Sequence, residues 1–101
     1  MEKHYKINFQ KLEKAAFLLK SVGHPTRLAI VDLLGNYPKL SVSEISNLLN
    51  CEQSLLSHHL INMKLKGILS AEREGQNVYY SLKLLEVSTL ITCIENCECN
   101  F

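Results

Sequence analysis

Three of the four cysteines, Cys93, Cys97 and Cys99, fall in the last nine positions of a 101-residue chain. On a helix, Cys93 and Cys97 at i and i+4 share one face about a turn apart. Cys99 follows where such a helix frays and can swing back. Three thiolates so placed can cap a thiophilic species such as arsenite, or fill three corners of a tetrahedral zinc or cadmium site. Two of them can instead join as a disulfide or polysulfide on oxidation. The plainer alternative is packing, since cysteine often serves as a small buried apolar residue, and Cys51 is expected to do so. A second group able to do chemistry is Gln53, Ser54, Ser57, His58 and His59. Glutamine pairs bidentately with adenine and serine can donate or accept at any base edge, while His58 or His59 can reach a phosphate.

These groups depend on elements whose periodicity is visible. Apolar residues Phe9, Leu12, Ala16, Leu19 and Val22 recur at helical spacing and predict a first helix from about Asn8 to Ser21. Gly23-His24-Pro25 interrupts it; Pro25 suits the first turn of a second helix, which His24 caps and which runs to Gly35. Ser41-Val42-Ser43-Glu44 has the form of a capping box. It opens a short third helix with Ile45, Leu48 and Leu49 inward, and Asn50-Cys51-Glu52 turns the chain. A fourth helix is predicted over 53–66, stopped by Gly67. Ile68–Arg73 and Val78–Leu82 then alternate as strands around Glu74-Gly75-Gln76-Asn77, a hairpin signal. A last helix carries Leu85, Leu90, Ile91 and Ile94 on its apolar side.

The expected fold is therefore mainly α with a small β-hairpin wing, in the order helix-helix-helix-helix-strand-strand-helix. Two short helices joined by a tight turn, the second polar on its outer side, form a helix-turn-helix. The second can lie in a major groove with its N-terminal residues at base edges. Leu56, Leu60 and Met63 make its buried stripe, leaving Gln53, Ser54, Ser57 and His58 to project elsewhere. Lys64 and Lys66 can anchor the phosphate backbone. The hairpin becomes a wing, with Arg73 and Gln76 near its tip for a phosphate or minor-groove contact.

Composition sets the outer bounds. Apolar residues make up 47% and charged residues 21%, ordinary for a folded chain, and residues 1–101 are expected to form one domain ending in a cysteine-rich tail over 93–101. No apolar run approaches the ~20 residues of a membrane span, and the start lacks the pattern of a signal peptide. A cytoplasmic location without membrane contact is expected. The formal net charge of +1 does not by itself point to nucleic acid. Lysines crowd the N-terminal stretch, while the residues after Leu84 carry only Glu86, Glu95 and Glu98 as charges. An enzyme, such as a thiol oxidoreductase using Cys97-Glu98-Cys99, lacks a base–nucleophile pair, phosphate loop or cofactor fingerprint. A winged-helix module that binds only proteins remains the other alternative.

Gly23-His-Pro-Thr-Arg-Leu28, Leu40-Ser-Val-Ser-Glu-Ile45, Gln53-Ser-Leu-Leu-Ser-His-His-Leu60, Lys66-Gly-Ile-Leu69 and Arg73-Glu-Gly-Gln-Asn-Val-Tyr-Tyr80 together resemble the ArsR/SmtB family of bacterial repressors. The resemblance spans residues 9 to 92. It implies a winged-helix homodimer joined through its first and last helices, needing no cofactor to bind double-stranded operator DNA. Release would follow an inducer, commonly a metal ion or a thiol oxidant. It also marks departures. Ser41 and Ser43 stand where the family's third-helix metal site has cysteines, and hydroxyls are poor ligands for soft metals. The last helix has no histidine for a zinc or nickel site. The second helix, at Ile30-Val-Asp-Leu-Leu34, offers no cysteine to pair with one near the C-terminus. Cys93, Cys97 and Cys99 are left as the candidate sensing set. Ile61 and Leu65 are more apolar than the outside of such a recognition helix usually is.

Overall fold

The computed structural model describes residues 4–98. Five helices, α1 (Phe9–Val22), α2 (Pro25–Asn36), α3 (Val42–Leu49), α4 (Gln53–Leu65) and α5 (Val87–Glu95), are joined by strands β1 (Leu40–Ser41), β2 (Leu69–Glu74) and β3 (Asn77–Leu82). The predicted order stands, with β1 added between α2 and α3. That strand is only two residues long, and pairing defines it: Leu40 lies opposite Tyr80 and Ser41 opposite Tyr79, so β3 becomes the centre of an antiparallel β1-β3-β2 sheet.

Local chemistry sets most boundaries. His24 Nδ1 accepts the Thr26 N–H at 3.1 Å and Pro25 follows in the first turn of α2. At α3 the capping box is closed in both directions: Ser41 Oγ accepts the Glu44 N–H at 3.2 Å, and Glu44 Oε1 accepts the Ser41 N–H at 2.9 Å. Asn50, at φ 52°, ends α3 in the left-handed region, which asparagine tolerates better than most residues. Gly67, at φ 80°, ends α4. There the Ile68 N–H reaches Met63 O and the Gly67 N–H reaches Lys64 O, both at 3.0 Å, a Schellman closure that returns the chain into β2. Gly75, at φ 65°, is the first residue of the two-residue loop between paired Glu74 and Asn77, where a tight hairpin calls for glycine.

One core lies between α2, α3, α4 and the base of the sheet. Ile30, Val31, Ile45, Leu56, Leu60 and Met63 are its most enclosed helical side chains, with Ile68, Leu69 and Tyr80 from the sheet side. The first helix takes almost no part in it: only Ser21 and Val22 of α1 are buried, while Phe9, Phe17 and Leu19 face outward. At the other end, α5 packs on α2 and stops at Glu95. Leu85, expected on its apolar side, precedes the helix and is exposed, because the Leu84–Glu86 segment forms the turn that leads in. Cys93 is part of α5, and Cys97 follows its cap, Asn96. Helix, turn, helix and hairpin in this order, with a short strand completing the sheet, constitute a winged helix-turn-helix.

Candidate nucleic-acid interface

At about 100° per residue, α4 presents two opposite faces. Leu56, His59, Leu60 and Met63 point into the core and are buried. Ser54, His58, Ile61 and Leu65 fall on the opposite line and are exposed. Gln53, Ser57 and Lys64 lie on the flank between. Gln53 and Ser57 open onto a cleft of about 270 Å³ shared with Ser43, Gln76 and Asn77. The structure thus brings Gln53 and Ser57 from the helix together with Gln76 from the tip of the hairpin. Val78 lines the same cleft, and Arg73, its partner across the β2–β3 ladder, is exposed beside it.

Several of these side chains are held in place. Gln53 Nε2 donates to Ser43 Oγ at 3.3 Å, and Ser54 Oγ donates to Glu52 Oε1 at 2.7 Å. Ser43 and Glu52 were not among the residues expected to act here, although both flank the helix-turn-helix turn closely enough in sequence to suggest it. The hairpin is fixed at its tip by Lys39, whose Nζ lies 2.6 Å from Glu74 Oε2 and 5.1 Å from the Tyr79 ring centre. The Glu74 hydrogen bond holds the Lys39 pKa above its ordinary value.

His59 is set apart from the other residues of the expected set by its burial. It is 7% exposed, and its Nδ1 accepts a hydrogen bond from Arg27 Nε at 3.0 Å. A ring nitrogen that accepts is unprotonated, so the imidazole is neutral with its proton on Nε2. Burial first, then Arg27, His24 and His58, hold its pKa below the ordinary histidine value. Arg27 also donates from Nη1 to Ser21 O at 3.1 Å, near the end of α1, and the His24 ring lies 4.6 Å from that of His59. His59 therefore ties α4 to the α1–α2 corner. Its neighbour His58 is exposed on the outer line.

The cysteines lie elsewhere. Cys51 is half-buried against the core, in keeping with a packing role. Cys93 is exposed on α5, and Cys97 follows the helix cap, its N–H reaching Ile94 O at 3.2 Å. The helix ends at Glu95, between the two. Cys99 lies outside the described residues. Among the described residues, no three His, Cys, Asp or Glu side chains converge on a point that would hold a metal ion. Ser41 and Ser43, at the positions compared with metal-binding cysteines, cap α3 and hold Gln53.

Residues 24–71, from the cap of α2 into β2, match the model of the bacterial regulatory protein arsR family. The transcriptional repressor PagR of Bacillus anthracis is 39% identical over 87 residues, covering 86% of this chain and 87% of the relative. The solved structure of reduced HlyU from Vibrio cholerae, a protein named as a transcriptional activator, superposes with a TM-score of 0.80 at 34% identity. That match covers 91% of this chain and 96% of the other. A cadmium resistance transcriptional regulatory protein, CadC of Listeria innocua, is 30% identical over 84 residues, covering 83% of this chain and 70% of its own length. The matched span includes both helices of the helix-turn-helix and reaches the hairpin that frames its cleft. The chain belongs to the arsR family and is a DNA-binding transcriptional regulator, not an enzyme.

Proposed function

We propose that the chain acts in the cytoplasm as a homodimeric repressor, gripping operator DNA with Gln53, Ser54, Ser57, His58, Lys64, Arg73 and Gln76. The observation that carries this reading is the cleft in which Gln53 and Ser57 of α4 meet Gln76 of the hairpin. Base-edge donors and a wing-tip polar group on one surface suit a duplex whose groove and adjoining backbone are contacted together. Residues 1–101 work as one unit in this reading. Dimerisation is supported by Phe9, Phe17 and Leu19 on α1 and Ile94 on α5, all exposed in the single chain. Exposed apolar groups on the first and last helices are ones that association would cover. No described helix is long and apolar enough to cross a membrane, so these residues are not explained as a membrane span.

The inducer in this reading is a thiophile acting on Cys93, Cys97 and Cys99: arsenite, a cadmium or zinc ion, or an oxidant of the thiols. Exposure of Cys93 on α5 supports it, as does the cadmium resistance for which the relative CadC is named. A duplex from the chain's own promoter region should bind the wild type and be released by at least one of these agents. A triple Cys→Ser variant should bind equally well and not respond. Equal response of the two proteins would remove the cysteines from sensing; no binding by either would remove the operator reading.

A further inference from the structure

The outer line of α4 does not end at His58. Ile61 and Leu65 continue it and are 51% and 80% exposed. Within about 60° of one another around the axis, Ser54, His58, Ile61 and Leu65 form the stripe farthest from the core. Ile61 stands about 4.5 Å further along the axis than His58, at 1.5 Å per residue. Lys64 and Lys66, both exposed, flank it. Ile61 lies on neither of the helices, α1 and α5, proposed above to join subunits.

We infer that Ile61 reads a thymine methyl group in the major groove. This rests on α4 being the groove-facing helix. The major-groove edges of the bases are polar except for one feature, the C5-methyl of thymine, and apolar side chains pair with it. Ile61 shares its line with Ser54 and His58, is half-exposed where a solvated helix would favour a polar residue, and carries no polar atom that could recognise any other base edge. Leu65, one turn further on, extends the apolar strip toward the end of the helix, where its position at the last residue makes it a flank to the contact. The preferred half-site therefore contains a thymine one step beyond the bases met by Ser54 and His58, and cytosine there is disfavoured for want of its methyl group.

The test uses the promoter-region duplex bound by the wild type, with each thymine replaced in turn by deoxyuridine, which removes only the methyl. One symmetry-related pair of replacements should weaken wild-type binding about fourfold per half-site, the scale of one buried methyl(ene) group. Ile61→Ala should bind the thymine duplex as weakly as the wild type binds the uracil duplex, and should no longer distinguish them. Ile61→Val should keep part of the discrimination, and thermal unfolding of both variants shows that the fold is retained. Equal wild-type affinity for both duplexes at every position overturns the inference and leaves the strip to a protein partner, as does discrimination that survives in Ile61→Ala. If the uracil series is flat while Ser57→Ala still weakens binding, the groove assignment of α4 stands and methyl reading alone fails. If the wild type binds no promoter duplex, both fall.

Discussion

Neighbouring histidines on α4 have opposite fates, and the difference is geometric. His58 lies on the exposed line with Ser54, whereas His59, one residue and about 100° further round, lies beside the buried Leu56–Met63 face. Ser57→Ala and His58→Ala should each weaken operator binding by roughly 1 kcal/mol per half-site, the usual net worth of one hydrogen bond, without changing the unfolding midpoint. Anisotropy titration beside a urea melt checks both halves of that expectation. The roles of Gln53, Ser54, Ser57 and His58 as outward groups were legible from helical spacing, since Leu56, Leu60 and Met63 define the inward side. His59 was misleading because its polar type suggests the surface while its angle places it at the core edge. Its partner Arg27 is 32 residues away, so the bond that makes burial tolerable cannot be seen locally.

Elements in this chain are fixed mostly by their ends. Removing the Ser41 hydroxyl opens the capping box of α3, so Ser41→Ala should cost about 1 kcal/mol of stability in a denaturant melt. An unchanged midpoint would mean that β1 pairing alone holds that corner. The bond between Arg27 and His59 makes a pH-dependent joint between α2 and α4. The folded-state pKa of His59 is depressed, so the unfolded chain takes up the proton first as pH falls. Its stabilisation is complete above about pH 6.5, the ordinary histidine value, and is lost as pH falls below that through the folded-state pKa. Unfolding measured from pH 7.5 to 5 should steepen in this window for the wild type and flatten for His59→Gln; parallel curves would contradict the assignment. Caps and breakers made these boundaries readable: Pro25, Ser41, Glu44 and Gly67 each act within a few residues of themselves. Strand β1 was not readable, because two residues carry no periodicity and only their pairing with Tyr79 and Tyr80 makes them a strand. The end of α5 was likewise obscured, as its apolar pattern begins at Leu85, before the helix, while Cys97 lies past its cap.

For the whole molecule, the layout separates two surfaces joined by one corner. The molecule measures 55 × 30 × 22 Å, and α1 buries only its last two residues. Arg27 touches the end of α1 at Ser21 O and the recognition helix at His59, so the helix proposed to join subunits and the helix proposed to meet DNA share a side chain. A chain with these exposed apolar side chains should sediment as a dimer at micromolar concentration, and charged substitutions at Phe9 and Phe17 should shift it to a monomer with weakened DNA affinity. A monomeric wild type would contradict the dimer. Salt dependence tests most directly whether α4 and the hairpin together form a DNA-binding surface. Affinity for a promoter-region duplex should fall steeply and linearly on a log–log plot against salt. Arg73→Ala removes one phosphate-binding cation from each half-site, so it should bind every sequence more weakly and reduce the slope by about one unit per half-site. An Arg73→Ala slope equal to that of the wild type, with only the preferred sequence altered, would contradict the hairpin as a backbone-gripping wing. Wild-type binding that is absent or indifferent to salt would contradict the surface as a whole.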